Sequence, residues 1–203
     1  DVHKVNALLG YSWEENTYQS MSAANRSFTT DNLGANNLGA GQDLRPADVA
    51  SSKNEYRLIS MFARANYSYG ERYMVTATIR RDGSSKFGAN HKWGIFPSVS
   101  AAWGISQEAF MENVDWVSDL KLRAGWGVTG NQDGLTPYKS LELYQSSGTY
   151  FSNGAFLTAF AVSQNANPDL KWEETSMLNI GLDFQLFKGR LSGSIDYFYR
   201  LTS

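Results

Sequence analysis

Two kinds of residue in this sequence have the types and spacing that chemistry would need. The first is a basic, glycine-containing stretch, Ala77 to Gly88 (ATIRRDGSSKFG), of the composition that cradles a phosphate. Such cradles work where a strand, a glycine loop and a helix N-terminus follow one another, because the helix supplies free N–H groups to the anion. Here the stretch leads from one strand-like segment into another, and the order G-x-x-x-x-G-K-[ST] is absent, so nucleotide binding is not expected. The second is the pair of adjacent acids at Glu14-Glu15 and again at Glu173-Glu174, the residue type a glycosidase uses in twos. Adjacent strand residues point to opposite faces, which separates each pair, and solvated loop edges are the better reading. With no cysteine and only His3 and His91, disulfides and thiolate metal sites are excluded and a histidine-based metal site or triad is not expected. The reading is therefore of no catalytic residue, no metal, no cofactor and no enzyme.

The elements that position these residues are strands. Ile59, Met61, Ala63, Ala65, Tyr67 and Tyr69 alternate with Ser60, Phe62, Arg64, Asn66 and Ser68, which predicts a strand over roughly 57–69 with two unlike faces. The same alternation predicts strands from His3 to Tyr18, from Tyr73 to Asp82, from Trp93 to Trp103, from Lys121 to Thr129, from Met177 to Leu186 and from Leu191 to Arg200. Strand-like pieces around Tyr138 to Tyr144 and Ala155 to Val162 are expected to pair outside the main sheet, and Gln107 to Asn113 to make a helical turn. Links alternate in kind. Those at Gly70 to Arg72, Lys188 to Arg190 and Ser106 to Asp119 are short or moderate and share one end, while Ala23 to Glu55, Gly83 to Lys92 and Gly130 to Lys171 are long and share the other.

A soluble sandwich also alternates, but three features favour a membrane. Aromatics make up 14% of the chain, and one face keeps aliphatics in mid-strand with rings toward the ends: Tyr67, Tyr69, Tyr73 and Trp103 at the short-link end, Trp13, Trp93, Trp126, Tyr197 and Tyr199 at the other. Rings with polar tips suit a lipid–water boundary, and two girdles about 25 Å apart mark an outer-membrane barrel. The opposite face carries Arg64, Arg80, Lys121, Arg123, Asn179 and Asp183, which a dry core would not hold cheaply. Short links on one side and long loops on the other complete the pattern. No apolar run reaches the roughly 20 residues of a membrane helix, the start lacks a signal-peptide pattern, and a net charge of -2 argues against nucleic acid as a partner.

Three blocks, YRLISMFARANYSYGERYMVTATIRRDGSSKFGANHKWGIFPSVSAAW, LKLRAGWGVTGNQ and NPDLKWEETSMLNIGLDFQLFKGRLSGSIDYFYR, taken in this order, resemble the barrel of the SusC/RagA family of TonB-linked outer-membrane proteins. The resemblance covers about Lys4 to Arg200. It implies an all-β fold, an antiparallel up-and-down transmembrane β-barrel segment of about seven to nine strands out of roughly 22, with long extracellular loops and short periplasmic turns. It implies residues 1–203 to be a partial barrel domain without plug, signal peptide or closing strand. It further implies a bacterial outer-membrane importer of glycans or peptides, with a SusD-like lipoprotein and the TonB complex as partners, the latter through an N-terminal part.

On that reading Tyr138, Tyr144, Tyr150 and Phe151 are candidate substrate or partner contacts in the outer loops, the packing of those loops being the blander alternative. Arg64, Arg80, Lys121, Arg123 and Asp183 are candidate lumen-lining residues, or bond to a plug and to each other. Tyr67, Tyr69, Tyr73, Trp103, Trp126, Tyr197 and Tyr199 are the membrane-interface aromatics, touching outer-membrane lipid. Asp82-Gly83 is expected to turn the chain out of the membrane, with Lys86 and Phe87 anchoring the loop. The competing reading is a non-transporting, carbohydrate-binding surface β protein, either a small closed barrel or a sandwich.

Overall fold

A computed structural model describes residues 2–32, 34–45 and 48–203. Among them run nine strands: β1 His3–Ala23, β2 Val49–Tyr69, β3 Tyr73–Ser84, β4 Trp93–Gly104, β5 Val117–Asn131, β6 Leu143–Ser152, β7 Ala155–Gln164, β8 Glu173–Leu186 and β9 Leu191–Thr202. Seven form one sheet in the order β1-β2-β3-β4-β5-β8-β9, and β6 pairs with β7 as a separate hairpin. Chain neighbours are sheet neighbours throughout, except that β5 pairs directly with β8 and the hairpin is an excursion between them.

Paired residues share a face, so the register turns the alternation into rows. One row runs Tyr67, Val75, Ala101, Ala124, Ile180, Tyr197; the next row on that face runs Ala65, Ala77, Val99, Trp126, Leu178, Tyr199. Between them, on the other face, lies Asn66, Thr76, Ser100, Gly125, Asn179, Phe198. The apolar face is bare: Leu9 is 83% exposed and Ile195 65%. Among the described residues no second sheet covers it, as a sandwich would require.

The turns are staggered. The row next to the β2–β3 turn, Tyr69–Tyr73–Trp103–Leu122–Leu182–Ile195, meets β8 and β9 four residues before their own turn at Leu186–Leu191. Those turns are four strand spacings apart, so the shift is about one residue per strand. About 3.4 Å along for about 4.8 Å across is a tilt near 35°, within the range of barrel strands.

Several boundaries differ from the sequence reading. β1 runs five residues past Tyr18 and β2 begins at Val49, well before Arg57. The apolar alternation stops there, but backbone pairing continues with polar side chains, as at Ser20 and Ser52, whose hydroxyls lie 2.7 Å apart. Asp82-Gly83 is not the turn: both still belong to β3, opposite Gly94 and Trp93, and the chain turns after Ser84. The expected helix at 107–113 is two single 3-10 turns, Ile105–Gln107 and Ala109–Met111. The piece expected at 138–144 begins only at Leu143: Tyr138 takes a left-handed φ of 66° and its carbonyl accepts from the Leu141 N–H at 2.9 Å, so a turn stands where a strand was expected.

The chain divides into two compact units, Asp1–Glu14 with Leu58–Ser203, and Glu15–Arg57. In the second, Arg26 organises the loop: its guanidinium donates to Asp48, and its carbonyl accepts from the backbone of Gln42 at 2.9 Å. Asp48 also accepts from the Arg45 backbone. Arg26 first, and then that backbone bond, hold the Asp48 carboxyl below its usual range.

Candidate functional site

The long loops of the larger unit close on a small aromatic knot. Phe87 is fully buried, and Phe96 and Trp172 are each 5% exposed. Trp172 lies 4.4 Å from the Phe87 ring and 5.4 Å, edge-on, from Phe96. Leu58, Val128, Leu135 and Leu170 pack around them. Backbone bonds join the same segments: Gly88 N–H donates to Leu170 at 2.9 Å and Asn90 N–H to Pro168 at 3.2 Å. The Trp172 indole donates to the Lys92 carbonyl at 3.3 Å, and the Ser140 hydroxyl to that of Phe87 at 3.2 Å. At Gly88 a Cβ would sit 1.9 Å from the Pro168 oxygen, so the two loops approach as only glycine permits. DGSSKFG and NPDLKWE are thus two halves of one clasp, with Phe87 as its anchor and Lys86 largely buried beside it.

The polar face forms a concavity of about 720 Å³. Thr76, Thr78, Ser98, Ser100, Thr129 and Thr175 supply hydroxyls around it, and Gly125 and Gly127 leave part of the wall as bare backbone. Arg80 donates to both oxygens of Asp82, at 2.8 and 2.6 Å, and to Ser60 at 3.0 Å. Arg123 grips Asp183 with two bonds of 2.7 and 2.8 Å and reaches Asp196 at 3.1 Å. Lys121 stands opposite Asp183 in the ladder, and Arg64 donates to Thr78 at 3.2 Å. All five polar-face candidates therefore share one face, in two groups: Arg64 and Arg80 near β2–β3, and Lys121, Arg123 and Asp183 across β5–β8. Arg80 and Arg123 are neutralised by carboxylates, so the wall there offers polar contacts more than net charge.

The loop aromatics divide differently. Tyr138 is half-buried, and its carbonyl accepts from Gln164 at 2.9 Å. Tyr144, Tyr150 and Phe151 lie on the hairpin and are exposed, with the Tyr144 hydroxyl bonded to Glu142. By simple alternation Tyr144 and Tyr150 would share a face and Phe151 would oppose them. A bulge between Ser146 and Gly148 reverses this. Tyr144 and Phe151 now share a face with Phe156, Phe160 and Val162, while Tyr150 joins Leu157 on the other. Phe156 is 75% exposed and Phe151 64%, the two rings meeting edge to face at 5.2 Å.

At the short-turn end the aromatics are tied by their polar tips. Tyr67 hydroxyl and His3 Nδ1 are 2.9 Å apart, and Tyr69 stacks on Tyr73 with centroids 6.4 Å apart. Tyr73 hydroxyl and Trp103 indole both donate to Glu108, at 2.6 and 2.9 Å. These bonds, Tyr73's the larger, hold the Glu108 carboxyl below its usual range. The other aromatics are less regular: Trp126, opposite Val99, donates to Ser176 at 3.0 Å, Trp93 stands opposite Gly83, and Tyr197 and Tyr199 are exposed.

A sheet with one bare apolar face, one polar face and barrel tilt is the wall of a membrane barrel, and the family model described as "TonB dependent receptor-like, beta-barrel" matches residues 3–203. The chain belongs to that family. SusC, a TonB-dependent receptor of Bacteroides thetaiotaomicron, is 43% identical over 161 residues, which cover 78% of this chain and 16% of SusC. A TonB-dependent receptor of Formosa agariphila is 38% identical over 97% of this chain and 19% of its own length. The solved RagAB peptide transporter superposes with a TM-score of 0.87 at 30% identity, over 100% of this chain and 22% of that one. This chain spans about a fifth of the length of the relatives it matches. The relatives are TonB-dependent receptors and transporters, not enzymes, and the SusC/RagA resemblance holds.

Within this receptor barrel the sequence reading missed Trp172, Phe96 and Asp196. Phe96 carried a signal: alternation in WGIFPSVSAAW puts it on the polar face beside Ser98, where a bulky apolar ring needs a partner. Phe62, opposite Arg80, is a similar misfit, and its ring lies where a Cβ on Gly10 of the next strand would be. Nothing local marked Asp196 as the second partner of Arg123, 73 residues away.

Proposed function

We propose that this chain is a stretch of the barrel wall of an outer-membrane, TonB-dependent importer that takes up glycans or peptides together with a SusD-like surface lipoprotein. The observation that carries the reading is the exposed apolar face set against a hydrophilic one in strands tilted near 35°. Lipid covers the first face, and the second lines the lumen, where Arg64, Arg80, Lys121, Arg123 and Asp183 contact the substrate path or a plug. A lumen open to water or to polar protein removes the cost of seating these charges. The TonB contact belongs to a part of the protein outside these residues. Similarity to the TonB-dependent receptor SusC and to a peptide transporter supports import.

We assign the lipoprotein contact to the β6–β7 hairpin, whose Tyr144, Phe151, Phe156 and Phe160 form an apolar face on the long-loop side. The deciding experiment is uptake of labelled oligosaccharides and oligopeptides by cells expressing the full-length protein, with and without TonB. TonB-dependent accumulation together with a heat-modifiable band in the outer-membrane fraction is the expected result. A full-length protein that stays monodisperse in buffer without detergent would replace this reading with that of a surface carbohydrate-binding protein.

A further inference from the structure

The apolar face carries one cation in an unexpected place. Arg81 occupies the row of Met61 and Ile95, directly beyond Ile79, with its side chain exposed among them. Among the described residues it makes no ion pair. Its recorded partner is a ring: the guanidinium lies 4.6 Å from the centroid of Trp93. That arrangement is built by Gly83, since a Cβ there would be 2.7 Å from the Trp93 ring. The bare backbone of Gly83 lets the indole lie across β3, against Arg81. A ring beneath a guanidinium holds its orientation while leaving its N–H groups free to donate outward.

The position along the strand says what it meets. Arg81 is eight residues from Tyr73, the inner-end ring of the same strand. At about 3.4 Å per residue and a tilt of about 35 to 40°, that is a rise of about 21 Å. The apolar band of such barrels is about 25 Å tall, so Arg81 sits at its outer edge, where hydrocarbon gives way to headgroups. A guanidinium at that depth, without a carboxylate and with its fork free, matches the bidentate geometry of a phosphate.

Resting on the membrane-barrel reading above, we propose that Arg81, held by Trp93 over Gly83, binds the phosphate of an outer-leaflet lipid headgroup. The site is on the outside of the wall, separate from the substrate path, and its ligand is a phosphorylated membrane lipid. Its role is to fix the annular lipid beside the DGSSKFG clasp.

The test uses the full-length protein, unaltered and as Arg81→Ala and Arg81→Lys, each checked for folding by heat-modifiable mobility. Each is reconstituted in phosphatidylcholine vesicles containing bis-phosphorylated lipid A or its dephosphorylated form, and retained lipid is read by native mass spectrometry after detergent exchange. Unaltered protein is expected to retain the phosphorylated lipid about fivefold over Arg81→Ala, the size expected of one cation at an anionic surface. Arg81→Lys falls between them, and the dephosphorylated lipid shows no difference. Equal retention of phosphorylated lipid by folded, inserted Arg81→Ala overturns the headgroup site while leaving the barrel reading intact. Failure of all three proteins to enter vesicles overturns both. Arg81-dependent binding of inorganic phosphate without Arg81-dependent retention of the lipid reassigns the site to a free anion and overturns the lipid.

Discussion

Two regions on the long-loop side use aromatic residues in opposite ways. In the clasp, Phe87, Phe96 and Trp172 are withdrawn from solvent and bracketed by backbone bonds from Gly88, Asn90 and Asn167. In the hairpin, Tyr144, Phe151, Phe156 and Phe160 are as apolar but stand in the open. The clasp supplies its own partner and the hairpin does not, so one set of rings stabilises the loops while the other is available to a second molecule. The blocks that identify the family, DGSSKFG and NPDLKWE, belong to the first kind. They hold the outer loops together, and selectivity has to come from elsewhere.

The strongest way to break this contrast is Trp172→Ala. Removing the ring from the clasp is expected to cost about 3 to 5 kcal/mol, measured as thermal unfolding in detergent. Hydrogen exchange should rise together in residues 85–92 and 165–172, and a rise in one segment alone would mean that they do not form a unit. Gly88→Ala comes next. Its Cβ meets a backbone oxygen at 1.9 Å, which cannot swing aside as a side-chain tip could, so a loss of about 1 to 3 kcal/mol is expected.

Glu108 gives a smaller, pH-dependent effect at the other end of the strands. Its folded carboxyl titrates below the unfolded one, so its contribution is present above the ordinary carboxylate range and is lost as pH falls through the lowered folded value. Glu108→Gln should flatten that part of the stability–pH curve and leave the clasp unchanged. The smallest effect on stability is expected for Phe151→Ser with Phe156→Ser, within about 0.5 kcal/mol for exposed sites. Binding of the lipoprotein proposed above as partner should fall in the same variant. Lost stability with unchanged binding would make the hairpin a second clasp and erase the distinction.

Much of the wall was legible because strand periodicity is local. Met61, Ala63, Ala65 and Tyr67 cannot change face independently, so each strand declared which residues it turned outward. The same rule failed where geometry was not regular. The bulge after Ser146 moved Phe151 to the face of Tyr144, and nothing in QSSGTY specifies which residue is left unpaired. Asp82-Gly83 looked like a turn because the dipeptide is turn-prone, yet it stayed paired, with Gly83 giving room to a ring from the next strand. The ends of β1 and β2 were missed because polar segments can pair without leaving an apolar trace.

The sequence alone determined the alternation and the long and short links, and hence a barrel wall, because these depend on neighbours along the chain, and its resemblance through blocks such as DGSSKFG and NPDLKWE pointed to the family. Only the tertiary structure decided the stagger of one residue per strand, the joining of Arg123 to Asp183 and Asp196, the meeting of Phe87 with Trp172, and the seating of Arg81 on Trp93. Each depends on register between strands, and register is set by the summed pairing of whole strands rather than by any one residue's preference.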